Sequence, residues 1–167
     1  LQKIDPKYMI KILIEIMIDP ENRPNLIKIK ELPMILESIV RVSDSPMIGA
    51  LCKIIIRFPY NPEFVRQLNK TSFIQEYITQ VKLLDTFETH FSCLNLIDIL
   101  CRQAFTPAYL SYMNVAVELP KRNALLTSHV ITYLTLMSAW EEGAKKISRL
   151  PDRNWILDKC SEQKDLY

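Results

Sequence analysis

Glycine is nearly missing from this chain: Gly49 and Gly143 are the only two in 167 residues. So few positions free to take positive φ argue against a phosphate-cradling loop, a hairpin-rich β-fold or a dinucleotide fingerprint. Cysteine pairs at metal-binding spacing are missing too. Cys52, Cys93, Cys101 and Cys160 stand far apart, with no C-x-x-C and no histidine at zinc-finger distance. Neither sign of charge dominates, since 21 Lys plus Arg face 19 Asp plus Glu for a net +2. That balance disfavours a nucleic-acid or membrane-surface protein. No apolar run is long enough to span a bilayer: the richest, Met9 to Ile18, is interrupted by Lys11 and Glu15. No G-x-S-x-G, H-E-x-x-H or P-loop occurs, and no secretory leader is recognisable.

What the chain does have is 49% hydrophobic and 24% charged residues, the composition of a folded domain. Its length suits one domain spanning residues 1–167, and the opening on Leu1 reads as a fragment of a longer protein. Three of the four cysteines lie in apolar helical runs and read as small buried hydrophobes rather than disulfides, which suits a reducing, cytoplasmic setting. Apolar residues recur at three- and four-residue spacing, so the fold class is all-α. Ten prolines and their cap residues cut the pattern into short helices. Asp5-Pro6 opens one to about Asp19, followed by Asn25 to Lys30 and Glu31 to Val42. Ser45-Pro46 opens the next, to Phe58. Then come Asn61 to Asn69, Thr71 or Ser72 to Leu84, and Thr86 to Gln103. Thr106-Pro107 starts a short helix to Met113, and Val115 to Leu126, Ser128 to Trp140, Glu142 to Arg149 and Asp152 to Cys160 complete the set. The helices at Met9 to Ile18 and Ala50 to Phe58 are apolar on most of their circumference, as expected of helices sandwiched between neighbours.

The order short, medium, long recurs. Asn61-Pro62-Glu63-Phe64 and Thr106-Pro107-Ala108-Tyr109 repeat one pattern 45 residues apart, and Pro24-Asn25-Leu26 begins a similar helix 38 residues before Pro62. Leu32, Ile35, Leu36, Ile39 and Val42 superpose on Ile74, Tyr77, Ile78, Val81 and Leu84 at a constant offset of 42. A period near 40 with three helices per unit is a solenoid signature. On these residues the chain resembles armadillo-repeat proteins, with HEAT repeats as the neighbouring possibility. The clearest unit runs N-P-E-F-V-R-Q-L-N-K-T-S-F-I-Q-E-Y-I-T-Q-V-K-L-L, a charged turn, then H-F-S-C-L-N-L-I-D-I-L-C. The resemblance implies a right-handed α-solenoid of about three full repeats plus partial terminal ones. The glycine usual between first and second helices is replaced by Asn69-Lys70 or Asn114, and asparagine tolerates the left-handed turn expected there.

Catalytic constellations are scarce. His90 and Cys93 share a helical face at i, i+3, but the reading preferred here puts His90 in a solvated first turn and Cys93 toward the core. His129 starts an equivalent helix. Asp98 and Arg102 read as a surface ion pair, Glu141-Glu142 as a helix N-terminus. Lys145, Lys146, Arg149 and Arg153 are interleaved with acids and make no one-sided basic stripe. Trp140 and Trp155 read as core or interface anchors.

The resemblance implies a concave surface lined by third helices, which would take an extended peptide or a partner domain. Candidate groove residues there are Lys53 and Arg57, then Asn95, Asp98 and Arg102, then Thr132 and Thr135. The Trp/Asn pairs of family members that bind nuclear-localisation peptides would fall at Cys52 and Ile56, Asn95 and Ile99, and Thr132 and Leu136, so that array is absent. The expectation is a non-enzymatic protein-interaction module with no metal, cofactor or nucleic acid. The alternatives are a helical adaptor domain binding lipid or peptide, as in endocytic proteins, and a formin-like region receiving a small GTPase.

Overall fold

The computed structural model describes residues 5–151 and 153–164, and every regular element in it is a helix. The chain divides into two compact units, Leu1–Thr106 and Pro107–Tyr167.

In the first unit, local chemistry sets most helix ends. The Asp5 carboxylate accepts from the Lys7 N–H at 2.9 Å and opens α1 (Pro6–Ile18). After α2 (Arg23–Leu26), which lies earlier than expected, and α3 (Leu32–Val42) comes α4 (Ser45–Ile55). Asp44, not Ser45, caps α4 by accepting from Met47 N–H at 3.1 Å. α4 also stops three residues before the expected Phe58. Pro59 disfavours helical geometry in the residue before it, and the Arg57 and Phe58 amides close tight three-residue turns onto the Ile54 and Ile55 carbonyls. Asn61 caps α5 (Pro62–Leu68) through Phe64 N–H. At α6 (Phe73–Leu84) the Thr71 hydroxyl receives the Phe73 amide, while Ser72 makes no cap bond. Thr86 and Thr89 form a reciprocal box at the start of α7 (Phe87–Cys101). Asn69 keeps an ordinary right-handed φ of −68°, contrary to expectation. Among the described residues the left-handed position is Asp85, at φ 49°, which lets the chain turn from α6 into α7 within two residues.

Packing in this unit advances by three elements: α1 lies on α4, α4 on α7, and α3 on α6. α4 is sandwiched as its sequence implies, with Ile48, Leu51 and Ile55 fully buried; each contributes about 1.5–3 kcal/mol. α1 is not. It buries Ile10, Leu13 and Met17, but Tyr8 and Ile12 remain 62% and 49% exposed. The positions superposed at an offset of 42 are equivalent where it counts. Leu32, Leu36 and Ile39 on α3, and Ile74, Ile78 and Val81 on α6, are all buried.

The second unit is more broken. A 3-10 helix covers Pro107–Tyr112, followed by α8 (Met113–Ala116), α9 (Leu119–Arg122) and a second 3-10 turn at Ala124–Leu126. The single helix expected over Val115 to Leu126 does not form. Pro120 has no N–H to give and its ring crowds the carbonyl four residues back, so a new helix starts at Leu119 with the proline in its first turn. Asn123 then turns extended and accepts the Leu125 amide at 3.0 Å, ending α9. Regular helix resumes in α10 (Thr127–Ser138), α11 (Glu141–Ser148) and α12 (Arg153–Lys164). Buried tyrosines fill this unit. The Tyr133 hydroxyl donates to the Tyr109 carbonyl at 2.7 Å, and the Tyr112 and Tyr133 rings meet edge to face at 6.1 Å. Gly143 is required by close approach, because a Cβ there would stand 2.0 Å from the Met137 carbonyl oxygen. Trp140 is 42% exposed and Trp155 half-buried, so neither is a fully buried core anchor. Asp152, the expected start of the last helix, and the Cys160 side chain lie outside what is described.

Candidate functional site

Lys53 and Arg57 are held apart from the core by the register of α4. Leu51, Cys52, Ile54 and Ile55 face inward, which leaves Lys53 exposed. Arg57 is exposed in the turn after the helix rather than on it. Both line one groove of about 940 Å³, walled by Ile14 of α1, by α4 with its following turn, and by the start of α7. A smaller pocket of about 360 Å³ shares Ile14, Pro46 and Ala50 with it and reaches Lys7 and Lys11 on α1.

The α7 wall carries what sequence reasoning missed. Phe87 and Phe91, 38% and 36% exposed, stack at 5.9 Å and line the groove. Their i, i+4 spacing immediately after the Thr86 cap puts them on one helical face, and that was the available signal. Glu88, in the first turn of α7, is the groove's carboxylate. Among the described residues neither Lys53, Arg57 nor Glu88 makes an ion pair, so the groove carries two unneutralised cations against one anion.

The other expected groove residues lie elsewhere. Asn95 donates to the Phe91 carbonyl at 2.8 Å, and Arg102 pairs with Asp98 at 2.7 Å, as read from the sequence. Asn95 and Asp98 sit further along α7 and Arg102 just beyond its end, and none of the three lines the groove. Thr132 and Thr135 belong to α10 of the second unit, half-buried and exposed respectively.

Of the His90–Cys93 pair, Cys93 faces the core as expected, but His90 departs from the expectation. His90 is buried, not solvated, and its Nε2 lies 2.7 Å from Asp85 Oδ1. Cys93 is fully buried, and burial, followed by the neighbouring Cys52, pushes its thiol well above the usual range. A thiol held neutral in the core is a poor nucleophile. Cys101 is also buried. Cys52 belongs to a closed polar ring that links α4, α6 and α7. Ser92 Oγ donates to the Cys52 carbonyl at 3.0 Å, so the Tyr77 hydroxyl donates to Ser92 at 3.0 Å and the Cys52 thiol to Tyr77 at 3.0 Å. Burial raises both the Tyr77 hydroxyl and the Cys52 thiol above their ordinary values, which keeps the ring uncharged.

Among the described residues no group of three or more His, Cys, Asp or Glu is placed to hold a metal, and no helix is long and apolar enough to cross a membrane. Compared with protein-family models, curated proteins and solved structures, the chain matches none.

Proposed function

We propose that this chain is a non-enzymatic protein-binding module of the armadillo/HEAT-like kind, and that its docking surface is the groove edged by Lys53 and Arg57. The observation that carries the reading is the groove itself. An apolar trough with an exposed stacked Phe87–Phe91 pair and unpaired cations has the make-up of a recognition surface, with large aromatic anchors beside charges that orient a partner. The step-of-three packing in the first unit supports repeats of three helices, since a solenoid places each element against its counterpart one repeat on. In that arrangement α4 and α7 are successive third helices and the trough between them belongs to the concave face. A cytoplasmic setting accords with buried thiols at Cys52, Cys93 and Cys101.

The test is site-specific photo-crosslinking in extract of the source cell. A crosslinker replacing Ile56, which lines the groove, should capture a defined protein. The same group replacing Leu83, 73% exposed on α6 and absent from the groove lining, should not. Capture from Leu83 alone, or from neither position, overturns the proposal.

A further inference from the structure

Resting on that reading, we infer that the groove's occupant is an acidic peptide segment carrying apolar anchors, running from the Phe87–Phe91 pair across α4 toward Lys11 on α1. Charge complementarity selects it. Lys7, Lys11, Lys53 and Arg57 line the groove and its smaller neighbour, against Asp44 and Glu88. Lys7 lies 3.6 Å from Asp44, so those two charges largely offset each other. Lys11 stands over the Tyr8 ring at 5.9 Å, and Lys53 and Arg57 have no carboxylate partner among the described residues. Three cations thus face an arriving chain, while Glu88 is the opposing charge, set in the first turn of α7 where the helix dipole favours it.

The floor between these cations is apolar. Ile14, Pro46 and Ala50 are common to both depressions, so the boundary between them is apolar and not a polar ridge. A basic segment would meet three like charges. A purely apolar one would leave them desolvated without partners, at a cost in affinity. A single-stranded nucleic acid could use the cations and the aromatic faces, but its phosphates would run past Glu88, and three cations are few for a salt-resistant phosphate track. A segment alternating carboxylates with aliphatic or aromatic side chains satisfies both the edges and the floor.

The experiment is selection of short random peptides displayed on phage against the full chain, repeated against the Lys53→Glu/Arg57→Glu double variant. Enriched sequences should be rich in Asp and Glu, with recurrent Leu, Ile, Phe or Trp. Synthetic versions should lose about tenfold or more in affinity on the double variant and weaken as salt rises. Phe87→Ala/Phe91→Ala should weaken them comparably; if that variant melts early, Lys53→Gln/Arg57→Gln gives the charge readout with the apolar surface intact. Enrichment of basic or uncharged peptides, no enrichment, binding indifferent to the charge changes, or tighter binding of an oligonucleotide than of any selected peptide overturns the inference. Failure here is distinguishable from failure of the module reading. A partner crosslinked from Ile56 that lacks an acidic segment leaves the docking surface standing and removes only the assigned chemistry.

Discussion

The two units solve the same problem, burying apolar helix faces, with different local materials. In the first, α3, α4, α6 and α7 are 11 to 15 residues long, and α4, α6 and α7 are tied together by one closed ring of hydroxyl and thiol bonds. In the second, residues 107–126 form only one- and two-turn pieces, and the core combines three buried tyrosines with aliphatic side chains. Short helices are marginal by themselves, so those pieces depend on the side chains they bury, Tyr109, Tyr112, Met113 and Leu119 among them. The comparison teaches that proline placement decides how long a helix can be, and that side-chain volume then decides what holds the pieces.

The sharpest way to break the comparison is through the glycines, one in each unit. Gly143→Ala drives a methyl into the Met137 carbonyl, and the atoms it meets are all Met137 backbone, with no flexible side-chain end to yield. It should cost about 3 kcal/mol or more, read by urea unfolding, with hydrogen exchange rising first over residues 127–148. An unchanged midpoint would mean that α10 and α11 do not approach as described.

Next in size are the tyrosine hydroxyls. Tyr77→Phe opens the three-bond ring and leaves Cys52 and Ser92 with unmatched groups, so about 2–3 kcal/mol should be lost. Tyr133→Phe removes the bond to the Tyr109 carbonyl and should cost about 1 kcal/mol. A Tyr77→Phe loss no larger than the Tyr133→Phe loss would show that the ring is worth less than its two separate bonds.

A third outcome follows from the raised thiols and the Tyr77 hydroxyl. Their folded values lie above their unfolded ones, so the folded state holds its protons more tightly. The stability this contributes is intact below the unfolded thiol value of about 8.5 and is lost as pH rises beyond it toward the raised folded values. Thermal melts from neutral pH upward should therefore fall above that point. Cys52→Ala/Cys93→Ala should flatten the decline, and exchange should report the loss in the first unit.

The smallest expected effect is a gain. Gly49 lies within α4, and a Cβ added there would meet no atom within 4 Å, so Gly49→Ala should stabilise by about 0.5–1 kcal/mol. A loss would place an unrecognised neighbour against α4.

Much of this was readable along the chain because caps and prolines act over four residues. Asp5-Pro6, Asn61-Pro62 and Thr86 each start the helix they announce. Pro120 carries the same kind of signal, but apolar spacing continues on both sides of it and masks the break. The groove was half readable. Lys53 and Arg57 stand out as the polar edge of an apolar helix, whereas Phe87 and Phe91 look like core residues until the packing leaves them uncovered.

What the amino-acid sequence determined by itself is helical class, most helix starts and the matching buried stripes of α3 and α6, since these depend on periodicity and on hydrogen bonds within a turn. Tertiary structure alone decided that His90 is buried against Asp85, that Cys52, Tyr77 and Ser92 close a ring, and that two phenylalanines line a basic-edged trough. Cys52 and Ser92 are 40 residues apart. Their meeting depends on which helix faces which, and local spacing carries no record of that choice.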